Sequence, residues 1–405
     1  MRSVGETPGA ARPERTSVVQ MDPTPTDLRS LDGLLDLARS AGPLFSSDSP
    51  DGEGVVSRLR TTLGLLPVPE RVVPEVVGTW STGGVEGTVL RWDVGVGAPS
   101  EGWLLRPAGE SAPLPGVVAL HCHGGVKHYG KEKVADGPES TAPGALAARA
   151  SLYDGVAYAN ELARRGYAVL VPDAFGWGSR RIPVADMPDR VRAAGDLAAA
   201  AREAETGQAL DTPTRYEAYS GPLEDAMAKL LGILGTSWPG AVAREDAIAV
   251  DLLASREDVL PGGVCVVGLS GGGARAALAT ALSENVRAAA VIAMMSTLAP
   301  MLDGYVHKHT WMMMSPGIGR VADWPEIAAA RRPRPLLVGY AERDQLFPPA
   351  GMHAAHELIT TRYAEAGAPQ AYRGIFIDAP HSFPPALQQQ TWQFFDEVLA
   401  GTSSN

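Results

Sequence analysis

The sequence predicts an α/β architecture, with a mostly parallel central sheet of about eight strands and helices on both faces. From residue 115 onward, near-continuous apolar runs of strand length alternate with stretches of helical spacing. Strands that are apolar throughout are typical of parallel sheets buried on both faces. Several of these runs end in Gly, His or Asp. The carboxyl ends of parallel strands are where such sheets bind their ligands.

Composition narrows the classes of function. The chain has 405 residues, enough for two or three average domains or for one large α/β domain with insertions. Its 35 basic and 46 acidic residues give a net charge of −11, which disfavours nucleic acid and anionic membranes as partners. Cys122 and Cys265 both lie within apolar runs, so we expect two buried thiols and no disulfide framework.

The first residues lack the apolar core of a signal peptide. No stretch reaches the ~18 consecutive apolar residues of a membrane span. We therefore expect a cytoplasmic protein that does not bind a membrane. The sequence leaves the oligomeric state open.

The chain is predicted to divide into three parts. Residues 1–25 are rich in Pro, Thr and Gly and are predicted to be disordered. Residues 26–70 are predicted to form an N-terminal helical extension, with helices over Leu28–Gly42 and Val55–Leu65. The main domain then covers 71–400 and opens with three strand-like runs separated by turns, which predicts antiparallel strands. These runs are Val72–Trp80, Thr88–Val94 and Gly102–Arg106.

One long segment interrupts the alternation of strands and helices. Residues 182–242 contain no buried-strand run and instead show charged, alanine-rich helical stretches. An insertion after a strand's carboxyl end lies over the ligand-binding face, so we expect this segment to be a helical lid. A shorter insertion, 126–149, follows the strand that ends in His121.

A serine surrounded by glycines separates an apolar run from an alanine-rich helix. Gly268, Ser270 and Gly272 fit G-x-S-x-G, the nucleophile elbow that exposes a serine hydroxyl on a strained turn. The motif alone does not distinguish such an elbow from an ordinary glycine-rich corner. A phosphate-binding loop requires a lysine after the glycines, and a dinucleotide-binding loop requires glycine where Ala276 stands. Neither nucleotide interpretation is favoured.

Two downstream strand ends supply the partners that a serine nucleophile needs. Asp344 follows the apolar run 336–341, and His381 follows the run 374–377. The order Ser, acid, His is the chain order expected for this elbow. We predict that His381 accepts the proton of Ser270 and that Asp344 orients the imidazole. Glu342 and Asp378 are the alternative acids.

The oxyanion produced by serine attack needs at least two N–H donors. The first is Gly271, at the start of the helix after the nucleophile. The motif His121–Gly125 supplies the second, from the amide of His123 or Gly124. The histidine pairs 121/123 and 307/309 also suggest a metal, but neither has a third ligand nearby in sequence, and we predict no metal site.

The ordered motifs HCHGG, VPDAFGWGSR, GLSGGG, RPLLVGYAERDQLFP and PHSF resemble the α/β-hydrolase superfamily. Within it, the chain is similar to the dienelactone hydrolase and acetyl-xylan-esterase-like serine esterases, from about Gly102 to Leu399. The resemblance implies roles for Ser270, Asp344 and His381 as catalytic triad and for the His123 amide as oxyanion donor. Dienelactone hydrolases proper carry a cysteine nucleophile, whereas this chain has serine.

Together these features predict a carboxylic ester hydrolase that acts on a small-molecule ester through an acyl-enzyme. No metal or organic cofactor is implied, because the triad generates its own nucleophile. The same triad would also serve a peptidase or amidase, or an acyltransferase, cyclase or C–C hydrolase of a specialised pathway. A non-catalytic binding module would be expected to lack a triad member, and none is missing.

Overall fold

The computed structural model describes residues 33, 34, 37 and 52–400. This part of the chain contains one nine-stranded sheet. Its strands are β1 (Glu75–Thr82), β2 (Val85–Trp92), β3 (Ser100–Pro107), β4 (Gly116–Leu120), β5 (Ala168–Pro172), β6 (Val264–Leu269), β7 (Val286–Ile292), β8 (Leu336–Ala341) and β9 (Tyr372–Ile377).

The sheet is mixed in the way the sequence predicts. Its order is β1-β2-β3-β5-β4-β6-β7-β8-β9. The pairs β1–β2, β2–β3 and β3–β5 are antiparallel, and all later pairs are parallel. The α/β prediction is confirmed, with nine strands where about eight were expected. β4 is the central strand of this order and β6 lies next to it, so the serine that follows β6 lies near the middle of the sheet.

Eleven helices accompany the strands within residues 52–400. They are α1 (Gly52–Leu63), α2 (Pro143–Tyr153), α3 (Tyr158–Arg164), α4 (Asp189–Thr206), α5 (Thr212–Ile233), α6 (Trp238–Ala254), α7 (Gly271–Leu282), α8 (Leu298–Met301), α9 (Trp324–Ala328), α10 (Pro349–Glu365) and α11 (Pro385–Ala400).

Helices cover both faces of the sheet, which explains the near-continuous apolar strands. Val118 and Val266 belong to one apolar cluster, to which α1, α6 and α7 contribute. Their neighbours Val117 and Cys265 belong to a second cluster, on the opposite face, to which α3 and α11 contribute. Successive strand residues point to opposite faces, so each strand must be apolar throughout.

Both cysteines are buried and free, as predicted. Val117 pairs with Cys265 across β4 and β6, and Cys122 lies five residues further along. At about 3.3 Å per residue this separates the two by about 16 Å, far beyond disulfide reach.

The N-terminal predictions fall partly outside the described residues. The segment 1–25 lies outside them, and of the predicted helix Leu28–Gly42 only Gly33, Leu34 and Leu37 are described, as helical. The next predicted helix is α1. It buries Val55, Val56, Leu59 and Leu63 in the first apolar cluster, so this helix packs directly on the sheet domain.

The segment 182–242 folds mainly into the helices α4 and α5. They pack on each other through Val191, Tyr216, Tyr219 and Leu223. Within the described residues, no helix is long and apolar enough to cross a membrane.

Candidate active site

Ser270 occupies a strained turn between β6 and α7. Its backbone has φ 57° and ψ −120°, a conformation that costs a non-glycine residue about 1–3 kcal/mol. Its N–H donates to the Ile292 carbonyl at 2.8 Å, and its carbonyl accepts from the Ala274 N–H at 2.9 Å. The first bond ties the turn to β7 and the second begins α7, so the surrounding structure holds the strained serine in place.

The glycines on both sides of Ser270 are required by space. A Cβ on Gly268 would lie 2.3 Å from the carbonyl carbon and oxygen of Gly272. A Cβ on Gly272 would lie 2.2 Å from the Leu120 carbonyl oxygen. Both obstacles are backbone atoms, which cannot move aside as a flexible side chain could. The tight approach of β4, β6 and α7 therefore explains the spacing of the motif.

A buried ion pair fixes the helix that follows the serine. The Arg275 guanidinium bonds Asp246 on α6 through Nε at 2.9 Å and through Nη2 at 2.6 Å. It also donates to the His121 carbonyl at 3.1 Å. Both side chains of the pair are almost completely buried. Sequence reasoning missed this pair, because an Arg and an Asp 29 positions apart carry no local signal.

His381 and Asp344 are in direct contact. His381 Nδ1 lies 2.5 Å from Asp344 Oδ2, and the other carboxylate oxygen accepts the Leu346 N–H at 2.8 Å. The Asp344 side chain is fully buried, whereas that of His381 is 17% exposed. Because the carboxylate accepts from Nδ1–H, the other ring nitrogen, Nε2, is left to act as a base.

The alternative acids do not reach the histidine. The Asp378 side chain is 82% exposed and pairs with Arg343 Nε at 2.6 Å. Glu342 is exposed as well. Among the predicted candidates, Asp344 is therefore the carboxylate that bonds His381.

Ser270 and His381 line one cavity of about 360 Å³. Its wall includes the apolar side chains of Leu152, Met313 and Leu346 and the polar groups of Lys308, His309 and Thr310. In the described part of the chain, no hydrogen bond joins Ser270 Oγ to His381 Nε2. A larger cavity, of about 490 Å³, is lined by Arg331, Arg334 and other charged residues and contains no triad candidate.

Two of the predicted oxyanion donors, His123 and Gly271, lie next to each other. A Cβ on Gly271 would lie 3.1 Å from the His123 amide nitrogen, so the two backbone segments are adjacent. Within residues 52–400, the N–H groups of His123, Gly124 and Gly271 donate to no protein acceptor. Three unpaired amides near Ser270, one of them at a helix N-terminus, could donate to a negatively charged oxygen.

Burial favours the neutral form of the histidines around this loop. His121 is buried, its Nε2 accepts the Ala174 N–H at 3.1 Å, and burial places its pKa well below the usual value. The pKa of His123 is also lowered, mainly by burial and to a lesser extent by the positive charge of Lys127. Burial also lowers the pKa of His309 to about 4, and its Nε2 donates to the Leu346 carbonyl at 2.9 Å. No group of three potential metal ligands occurs among the described residues.

Helix α5 contributes two acidic residues that sequence reasoning missed. Glu224 accepts from Lys127 Nζ at 2.8 Å and from Thr310 Oγ1, and it lies 3.9 Å from His123 Nε2. Glu217 accepts from the backbone N–H groups of Lys127 and His128, at 2.9 and 2.8 Å. The inserted helix thus holds the loop that follows His123. In the sequence, a buried or half-buried glutamate on a charged helix looks the same as a solvent-exposed one. No sequence signal therefore distinguished Glu217 and Glu224 from the exposed acidic residues around them.

Two residues of the VPDAFGWGSR motif, and the exposed Trp311, have structural contacts. Asp173 bonds Lys131 Nζ at 2.7 Å, and Arg180 bonds Glu245 with Nε at 2.9 Å, so each fixes a loop through its own partner. Trp311 donates from Nε1 to Asp225 on α5 at 2.8 Å.

Comparison of the sequence with known proteins gives a distant relative. No protein-family model matches the chain. A Bacillus subtilis (strain 168) protein named "Putative hydrolase YtaP" is 22% identical over 304 residues, which is 73% of this chain and 83% of that protein.

Solved esterase structures superpose on most of the molecule. A glucuronoyl esterase from Solibacter usitatus has a TM-score of 0.58 at 15% identity, with 89% of this chain and 95% of that chain covered. An acetyl xylan esterase from Paenibacillus sp. R4 has a TM-score of 0.53 at 17% identity, with 90% and 99% covered. The chain therefore has the α/β-hydrolase fold, and the similarity to acetyl xylan esterases that its motifs indicate is confirmed.

Proposed function

Because the chain has the α/β-hydrolase fold, we propose that it is a serine hydrolase that cleaves carboxylic esters through an acyl-enzyme. The observation that carries the proposal is the bond between His381 Nδ1 and Asp344 Oδ2, 2.5 Å long, in the wall of the cavity that Ser270 also lines. A buried acid behind a cavity-facing histidine, opposite a serine on a strained turn, is the arrangement that activates a hydroxyl.

The reaction follows from the roles of these groups. His381 Nε2 takes the proton of Ser270 Oγ as this oxygen attacks the ester carbonyl carbon, and Asp344 stabilises the resulting imidazolium. The carbonyl oxygen becomes an oxyanion facing the N–H groups of Gly271 and of His123 or Gly124. The intermediate then collapses, the alcohol leaves with the proton from His381, and Ser270 stays acylated. Water, deprotonated by His381, releases the acid and restores the serine.

The cavity favours a small acyl ester. Its volume is about 360 Å³, and its wall combines three apolar side chains with Lys308, His309 and Thr310. The similar solved structures are named as esterases of acetyl and glucuronoyl groups, which are short or polar acyl groups. We expect acetyl esters to be hydrolysed faster than octanoyl esters, and a panel of p-nitrophenyl esters of increasing chain length measures this preference.

A fluorophosphonate probe tests the nucleophile. The wild-type protein should be labelled on Ser270, and Ser270→Ala should abolish both labelling and hydrolysis of p-nitrophenyl acetate. Ser151→Ala is the matched control, because Ser151 lies in the same cavity wall and this variant should still be labelled on Ser270. Full hydrolysis by Ser270→Ala would refute the assignment.

A further inference from the structure

Lys133 is a fully buried lysine that binds backbone carbonyls and no carboxylate among its described contacts. Its Nζ lies 2.7 Å from the Cys122 oxygen, 3.0 Å from the His123 oxygen and 2.9 Å from the Val126 oxygen. Three acceptors use three N–H hydrogens, which only the ammonium form supplies. Burial lowers the pKa of Lys133, and the electrostatic influence of Cys122 and of nearby carboxylates, first Glu217, opposes this.

Two of these carbonyls belong to the peptide groups of the candidate oxyanion donors. The Cys122 carbonyl and the His123 N–H form one peptide group, and the His123 carbonyl and the Gly124 N–H form the next. In a planar trans peptide the C=O and N–H point in opposite directions. Lys133 therefore binds the carbonyl side of both peptides, and their N–H groups are directed away from it.

The other side of the first peptide is where the nucleophile lies. A Cβ on Gly271, the residue after Ser270, would lie 3.1 Å from the His123 nitrogen. A cation bonded to a carbonyl oxygen draws electron density from the same peptide and makes its N–H a stronger donor. It also fixes the orientation of a loop in which Gly124 and Gly125 both have positive φ, at 62° and 64°.

We propose that Lys133 is the positioning residue of the oxyanion hole, holding and polarising the two peptides that donate the His123 and Gly124 N–H groups. The inference rests on the proposed serine hydrolase activity and extends it to a residue outside the triad. Lys133 acts on the oxyanion through the two peptide groups, so its effect belongs to the transition state and leaves ground-state ester binding almost unchanged.

The test compares Lys133→Met with Lys131→Met. Lys131 is also buried and lies on the same short turn, but its Nζ bonds Asp173 at 2.7 Å and none of the loop carbonyls. Loss of an oxyanion donor costs about 10²–10³-fold in turnover, so we expect misplaced donors in Lys133→Met to lower kcat by about 10–10²-fold. KM should change by less than about threefold.

A second readout separates positioning from general destabilisation. Ser270 Oγ attacks the carbonyl carbon of a trifluoromethyl ketone, and the resulting oxyanion occupies the oxyanion hole. Lys133→Met should therefore raise the inhibition constant of the ketone by the same factor by which it lowers kcat. Lys131→Met should lower the melting temperature while leaving the ratio of ketone affinity to ester KM unchanged. An unchanged kcat and ketone affinity in Lys133→Met would overturn the proposal.

Two further measurements keep the proposal falsifiable. If Lys133→Met does not fold, Lys133→Gln retains N–H donors without charge and should still lower kcat at constant KM; wild-type kcat in this variant would overturn the proposal. Fluorophosphonate labelling of wild-type Ser270 is scored separately. Absence of that labelling would count against the serine hydrolase itself, whereas normal labelling with an unchanged Lys133→Met would count against the lysine alone.

Discussion

Replacing Gly268 with alanine directly tests the steric account of the turn at Ser270. The new Cβ would lie 2.3 Å from the Gly272 carbonyl carbon and oxygen and 2.7 Å from its Cα. Carbon atoms attract optimally at about 3.5–4.0 Å, so relief of this clash requires a shift of roughly 1 Å. All three obstacles are backbone atoms of the first turn of α7. Because Ser270 lies between Gly268 and Gly272, moving these atoms apart must also displace Ser270.

The expected cost has two parts. Overpacking of this kind typically destabilises a protein by about 1–3 kcal/mol, and the backbone contacts place Gly268→Ala at the upper end of that range. A displacement of about 1 Å at the nucleophile can lower the rate by about 10²-fold. We therefore expect a loss of about 3 kcal/mol in the free energy of unfolding and of about 10²-fold in kcat.

Urea unfolding and p-nitrophenyl acetate kinetics measure both parts. Gly232→Ala is the control, because this glycine lies in helix α5, has no atom within 4 Å of its Cβ position and has an ordinary φ. The free energy of unfolding of Gly232→Ala should rise by up to about 1 kcal/mol, and its kcat should equal that of the wild type. A Gly268→Ala protein with wild-type stability and a kcat within twofold of wild type would refute the steric argument.

Three other changes test separate parts of the site. Asp344→Asn should lower kcat by about 10⁴-fold because the histidine loses its orienting carboxylate, whereas the exposed Glu342→Gln should not; ester kinetics compare the two. Arg275→Met leaves the Asp246 carboxylate buried without its partner and should cost about 3–5 kcal/mol in urea unfolding, a loss that Asp246→Asn in the same protein should partly restore. His309 has a folded pKa of about 4 against a usual 6.5, so the unfolded chain binds its proton first as the pH falls. This contribution to stability is complete above about pH 6.5 and is lost as the pH falls toward 4, so His309→Gln should flatten the pH dependence of the urea midpoint in that window; an unchanged slope would contradict the argument.

The sequence predicted the sheet well because its signal is local. The apolar runs that became β4 to β8 are buried on both faces, as is typical of a parallel sheet covered by helices. The elbow was also readable, because a strained serine between a strand and a helix needs glycine at fixed offsets. Asp344 and His381 were predicted from their positions after two strands, and the structure places their side chains in contact, while their catalytic roles stay a proposal.

What sequence reasoning missed depends on pairings between distant segments. Lys133 has its acceptors 7 to 11 residues away, in a loop whose shape no propensity specifies. Glu224 contacts Lys127 across 97 positions. Lysine and glutamate are residue types that usually lie on the solvated surface, and only tertiary packing reveals that these two are buried. The lid function predicted for the segment 182–242 stays a prediction, although its helix α5 supplies contacts to the loop after His123.

The most direct test of the account is to trap the acyl-enzyme. Wild-type protein mixed with p-nitrophenyl acetate, quenched early and analysed by intact mass and peptide mapping should carry one acetyl group, on Ser270. The same experiment should show a burst of p-nitrophenol equal to the enzyme concentration, provided that deacylation is the slower step. Acetylation of another residue, or full turnover by Ser270→Ala without any adduct, would contradict the assignment of Ser270 as the nucleophile.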